Sequence, residues 1–205
     1  MKKVFFTLAL ATFALLSFTT INKSNQSAIS NPSIDVASVG GNIDIETSVI
    51  LWKGFKPTGS HEGTILLKPS SMQVKRGELK GGKFVIDMST IKESKDSKRL
   101  ERHLSSEDFF DIKIYPTATF VITKVEKQEG KLAITGNLTI KDVTKSVTFP
   151  ASFKKVEGKF VFKSETFKIN RADYNIKYKS KSFFSNLKDK FINDMMELSF
   201  EVNTI

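Results

Sequence analysis

The chain holds two histidines, His61 in "GSHEG" and His103 in "ERHLSSED", and each has carboxylates within a few residues. Imidazole beside carboxylate is the arrangement that moves protons near neutral pH or ligates a metal. Either chemistry needs further partners. No G-x-S-x-G nucleophile motif occurs, the chain has no cysteine, and two histidines this far apart nominate no third metal ligand. The reading is therefore no catalytic residue, no metal and no cofactor. His103 precedes Leu104 on a short amphipathic stretch and reads as a packing or capping side chain. His61, at a turn entering a strand, reads as a hydrogen-bonded loop histidine, with contact to a ligand's polar head or an adventitious metal as the alternatives. What the residues can do in quantity is bury apolar surface, because 18 phenylalanines stand against three tyrosines and one tryptophan.

Those rings must be positioned by strands. From Asn42 the pattern has period two, with Ile43, Ile45, Thr47, Val49 and Leu51 on one face and Asp44, Glu46 and Ser48 on the other, which predicts a half-buried strand. The alternation returns at 63–68, 82–88, 117–125, 131–140, 145–153, 158–169 and 195–202, with a weaker strand at 72–79. The breaks "QEG", "KDVTK" and "VEG" are short, so neighbouring strands should pair as antiparallel hairpins. Strands of this kind build a sandwich or a closed barrel, and the aromatic content favours the barrel. The predicted fold is all-β, an extended antiparallel barrel of about eight strands with one or two short helices. Phe84, Ile86, Phe120, Ile122, Phe160, Phe162, Leu198 and Phe200 should face inward, since residues two places away are apolar while their flanks are charged or small. Trp52 should lie near a mouth. Two fillings fit this pattern: a core packed by its own rings, or an apolar lumen that holds one small ligand.

Two stretches interrupt the strands. "KDSKRLERHL" (95–104) contains strong helix formers with Leu100 and Leu104 four apart, and Asp96 is placed to cap it. Ser105 and Asp108 then fit the S-x-x-D capping pattern, starting a second helical turn that carries Phe109 and Phe110. Tyr115-Pro116 follows, and proline, lacking a donor, marks a strand's start. This makes the Phe pair a lid on one end of the barrel. The second interruption, "SKSFFSNLKDKFIND" (180–194), places Phe184, Leu187 and Phe191 on one helical face among lysines.

The N-terminus bears on compartment. Lys2 and Lys3 precede an uncharged apolar run from Val4 to Phe18, the layout of a secretory signal peptide, and the run is shorter than the ~20 residues of a spanning helix. Residues 1–21 are read as a signal peptide, cleaved between Ser17 and Asn25, with an uncleaved anchor as the alternative. The Ser/Asn-rich segment 22–42, with Pro32 and a Gly pair, is read as a flexible leader. Residues 43–205 are read as one domain. The expected location is periplasmic or secreted, with no cysteine to carry a lipoprotein anchor.

Several stretches resemble the YceI-like family: "WKGFKPTGSHEGTI" (52–65), "GGKFVIDMSTI" (81–91), "LERHLSSEDFFDIKIYPTATF" (100–120), "ITGNLTIKDVTKSVTFP" (134–150) and "INRADYNIKY" (169–178). They cover most of the chain beyond the leader, in order. The resemblance implies a lipocalin-like antiparallel barrel with a helix across it, exported to the periplasm, that binds polyisoprenoid or similar amphiphilic chains in its lumen and is not an enzyme. It implies that Leu104, Ser105, Asp108, Phe109 and Phe110 latch the helical segment, and that Leu138, Thr139, Ile140, Val143 and Thr144 form a hairpin.

The ligand-binding set is accordingly Trp52, Phe84, Ile86, Phe109, Phe110, Phe120, Ile122, Phe160, Phe162, Leu198 and Phe200, with His61, Lys177 and Lys179 as headgroup contacts. The formal charge of +10 favours phosphate-bearing partners, and export favours lipid over nucleic acid. Lys177, Lys179, Lys181 and Lys188 read as a solvated face or as contacts to an anionic membrane, with Phe183 and Phe184 dipping into its apolar layer. The competing reading is a surface or stress-associated structural protein whose barrel is filled by its own side chains.

Overall fold

The computed structural model describes residues 42–205. The expected signal peptide and all but the last residue of the expected leader lie outside the described residues. Ten strands follow in order: β1 (Ile43–Lys56), β2 (Gly59–Leu67), β3 (Ser71–Lys75), β4 (Glu78–Glu93), β5 (Thr117–Gln128), β6 (Lys131–Ile140), β7 (Val143–Val156), β8 (Lys159–Ser164), β9 (Phe167–Asn170) and β10 (Met195–Thr204). A single α-helix among the described residues, α1 (Lys98–Ser105), lies between β4 and β5. Eight strands close into a ring in the order β1-β2-β4-β5-β6-β7-β8-β10, with β10 pairing back to β1. β3 pairs outside this ring with β4, and β9 with β10. Closure leaves the ring without free edges.

The hairpins follow from turn chemistry. Glu129-Gly130 joins β5 to β6 and Glu157-Gly158 joins β7 to β8, and all four residues have positive φ. Two-residue turns of that kind match the twist of the strands they connect, and glycine occupies the second position without steric cost. Lys141 and Asp142 make the same turn with no glycine, at φ 49° and 58°. There β6 and β7 pair Thr139 with Thr144 and Ile140 with Val143. The two threonine hydroxyls lie 2.8 Å apart.

Register decides which residues enter the ring. Along β1 the expected single face, Ile43 through Leu51, does not hold: Ile43 and Trp52 are buried and Leu51 is exposed. Between Asp44 and Val49 the β1 chain advances five residues against two of β10, and an odd offset sends every later side chain to the opposite face. Ser48 sits at the shift, donating to the Asp44 carbonyl at 2.6 Å and accepting from the Asn203 N–H at 3.0 Å. The strand expected over 158–169 is divided into β8, which pairs with β7 and β10, and β9, which pairs with β10; the Glu165 N–H still bonds the Pro150 carbonyl in the β7–β8 register, and the break falls at Glu165 and Thr166.

The helical expectations need correction in three places. Ser97, not Asp96, caps α1, its hydroxyl accepting from the Leu100 N–H at 3.4 Å. Asp96 has left-handed backbone and belongs to the preceding turn. Ser105 and Asp108 form no capping box: Ser105 is the last helical residue and donates back to the Glu101 carbonyl, while Asp108 pairs with His103. Over 180–194 only one 3-10 turn forms, at Lys188–Lys190. Ser180 and Ser182 both donate to the distant Asp194 carboxylate, and the Ser180 hydroxyl accepts from the Ser182 N–H at 3.2 Å, a local contact of the kind that competes with helix.

Candidate functional site

Inside the ring lies a cavity of about 90 Å³ with a wholly apolar lining. Phe84, Ile86, Phe120, Phe162, Leu198 and Phe200 line it, joined by Phe149, Phe167, Met88 and Ile140. Alternation on β4, β5, β8 and β10 sends these side chains inward, and the rings then pack on one another. Phe149 stacks on Phe167 at 4.4 Å and meets Phe120 at 5.4 Å and Phe200 at 5.5 Å. Phe162 meets Phe200 at 4.9 Å and Phe84 at 5.9 Å. Gly136 makes room for this cluster, since a β-carbon there would collide with the Phe120 ring and the Val121 carbonyl.

A second cavity, about 100 Å³, lies toward the end of the ring that carries α1. Its walls are Trp52, Phe55, Ile91, Leu100, Leu104, Phe109 and Ile176, with His61, Lys56, Arg171 and Asn193 as the polar part of its lining. Ile65, Phe110 and Met196 line both cavities. These three residues form the partition between an inner chamber and an outer one, both almost wholly apolar in lining, the outer one alone bordered by charged and polar side chains.

The rim is held by two polar clusters. At the first, His61 Nδ1 lies 3.1 Å from Oε1 of Glu93. Glu93 is buried, and its Oε2 accepts from the Lys95 and Ser97 N–H groups. The contact with His61, together with those two amides, outweighs burial and holds the Glu93 carboxyl below its ordinary value. At the second, buried Arg171 donates to the carbonyls of Asn193, Ile176 and Ile192 and faces Asp194 at 3.2 Å. Burial raises the Asp194 carboxyl, yet the hydroxyls of Ser182 and Ser180 and the charge of Arg171 bring it below its usual range. Tyr174, beside this cluster in sequence, buries a hydroxyl with no hydrogen-bond partner among the described residues, and burial pushes it up to about 12.

Of the residues named from sequence, Trp52, Phe109 and His61 line the outer chamber, Phe110 the partition, and Phe84, Ile86, Phe120, Phe162, Leu198 and Phe200 the inner one. Ile122 is buried but lines neither. Phe160 is half-buried at one end of the sheet, stacked on Phe153 at 5.0 Å and likewise outside both chambers. Lys177 and Lys179 do not line the chambers either, because Tyr178 between them turns inward against His103 and Phe109. His103 is held edge-on by those two rings, with Asp108 3.0 Å from Nε2. Sequence reasoning missed Glu93, Arg171, Asp194, Met196 and Phe149. The apolar pair could have been found by alternation on their strands, whereas the charged three acquire meaning only when distant segments meet. Among the described residues no three His, Cys, Asp or Glu side chains gather as a metal site.

A closed antiparallel ring around an apolar interior, with a helix beside one end, defines a lipocalin-like barrel. The chain belongs to the YceI-like domain family, whose profile matches residues 26–204. A UPF0312 protein of Pseudomonas putida is 38% identical over 102 residues, 46% of this chain and 53% of that one. Another, from Vibrio campbellii, is 42% identical over 85 residues, 35% and 45% respectively. The matches span about half the length of these curated relatives. Among solved structures, Burkholderia cenocepacia BcnA superimposes with a TM-score of 0.65 over 80% of this chain and 99% of that one, at 20% identity. A polyisoprenoid-binding domain from Saccharophagus degradans, implicated in plant cell wall breakdown, does so with a TM-score of 0.58 over 79% and 95%, at 12% identity. At these identities the likeness shows the fold.

Proposed function

We propose that this protein is an exported, non-catalytic binding and carrier protein that holds an isoprenoid or other long-chain amphiphile in its ring. The observation that carries the reading is the pair of adjoining chambers, both walled almost wholly by apolar surface, with His61, Lys56, Arg171 and Asn193 bordering only the outer one. The long apolar part of an amphiphile suits such an interior, and its polar head would lie at the end bordered by those four residues. The family membership and the polyisoprenoid-binding neighbour support it.

Energetics agree. Enclosing a long apolar tail hides on the order of 500 Å² of ligand surface, worth ~12 kcal/mol before the ordering costs of binding. Affinity therefore needs no charged contact deep in the ring. Each chamber by itself is smaller than the ~150 Å³ cavity that accepts a benzene ring. A long chain must displace side chains, and the partition residues Ile65, Phe110 and Met196 are the ones whose movement joins the chambers.

The same volumes and the phenylalanine cluster favour a second reading, a self-filled structural barrel. Organic extraction of the protein purified from its native host, followed by mass spectrometry, separates the two. The carrier reading expects a co-purifying long-chain amphiphile, and expects Ala118→Phe, which fills the inner chamber, to abolish it in a folded protein. A folded protein that carries nothing and takes up no isoprenoid phosphate is a self-filled barrel.

A further inference from the structure

The geometry points to the 177–192 segment as a docking surface for an anionic lipid bilayer, set beside the outer chamber so that a docked ring takes its ligand directly from the membrane. This rests on the carrier reading for its purpose and on separate observations for its substance.

The segment is pinned at its base and bare at its tip. Ser180 is fully buried, and it and Ser182 are tied to Asp194 at 2.8 and 2.6 Å. The Ile192 N–H bonds the Lys179 carbonyl at 2.9 Å. Between these ties, Phe183 and Phe184 remain 49% and 50% exposed, adjacent large rings that a water-facing loop has no reason to present together. Lysines surround them. The Lys177 ammonium lies 4.6 Å from the Phe183 ring centre and the Lys181 ammonium 3.7 Å from that of Phe191. Lys179, Lys188 and Lys190 add charge, against Asp189 and an Asp194 already engaged with Arg171. Exposed rings flanked by cations match the interfacial layer of an anionic bilayer, where rings enter the headgroup boundary and ammonium groups meet phosphate.

Position supplies the link to the chamber. Ile192 and Asn193, which close the segment, line the outer chamber, and the Asn193 N–H bonds the carbonyl of Phe55, another lining residue. A bilayer that receives the Phe pair therefore lies against the chamber's rim. Long isoprenoids have negligible monomer concentration in water, so a carrier must collect them where they reside.

The test places a fluorophore in the segment. The full chain carrying Phe184→Trp is mixed with vesicles of equal parts phosphatidylglycerol and brominated phosphatidylcholine, and with vesicles of brominated phosphatidylcholine alone. The unsubstituted chain, whose only tryptophan is buried Trp52, gives the background. Expected are a blue shift and bromine quenching on anionic vesicles only, reversed by high salt, with Lys177→Glu/Lys179→Glu/Lys181→Glu weakening binding by about tenfold or more. Because the probe reports its own depth, attachment through another part of the chain does not imitate the signal. Unchanged emission on anionic vesicles overturns the proposal. So does a concentration-dependent dimer, seen by sedimentation, that Phe183→Ser/Phe184→Ser abolishes, since the patch then belongs to a second copy. In parallel, uptake of a detergent-dispersed fluorescent isoprenoid without vesicles reports the ring alone. Uptake without insertion defeats the docking surface and leaves the carrier reading standing, whereas insertion without uptake supports docking and defeats the carrier reading.

Discussion

Arg171 and Asp194 face each other at 3.2 Å beside the outer chamber, with side-chain exposures of 4% and 13%. The pair ties the turn after β9 to the residues just before β10, and Ser180 and Ser182 complete it. Its Asp194 carboxyl sits below the ordinary value in the folded chain. A depressed carboxyl contributes stability fully above its unfolded value, about 3.9, and loses it as pH falls through the lower folded value. Asp194→Asn should therefore cost about 3–5 kcal/mol at pH 7, as removal of one partner of a buried pair does. Its stability should also fall less steeply than the parent's below about pH 4. Urea midpoints of both proteins from pH 7 to pH 2.5 check both statements.

The buried hydroxyl of Tyr174 makes the opposite prediction. A donor buried without a partner costs about 1–3 kcal/mol, and removing it while keeping the ring recovers part of that cost. Tyr174→Phe should raise stability by about 1 kcal/mol. A drop of similar size in the urea midpoint would mean that the hydroxyl has a partner.

Phe109 and Phe110 are both buried, and Phe110 belongs to both chambers. Truncating both to Ala should lower stability by several kcal/mol, at ~3–5 kcal/mol for a fully buried ring. An isoprenoid phosphate that binds only the folded state should then return part of the loss. Thermal midpoints across a titration of that lipid read this directly. Equal midpoint losses at every lipid concentration favour the self-filled barrel.

The histidines carry little of the proposed affinity. His61→Gln leaves Glu93 with its two backbone donors, and His103 touches neither chamber. Either variant should hold an isoprenoid phosphate within about tenfold of the parent, because apolar burial supplies the binding. A thousandfold loss in a folded His61→Gln protein, measured by fluorescence titration, would assign chemistry to the His61–Glu93 pair.

Period-two alternation made the strands, their hairpins and the inward faces of β4, β5 and β10 legible in the residues alone, because side-chain direction along a strand is a local property of the backbone. Phe84, Phe120 and Phe200 follow from it directly. Local reasoning failed where the pairing register shifts, as between Asp44 and Val49, and where a polar group had a distant partner, as when Ser180 and Ser182 turned to Asp194 instead of a helix. The closing of β10 onto β1, the division of the interior by Ile65, Phe110 and Met196, and the burial of Arg171 against Asp194 were decided by tertiary structure. Each joins segments far apart in the chain, and such contacts are set by how apolar faces and buried charges find partners across the whole ring, which no window of neighbouring residues contains.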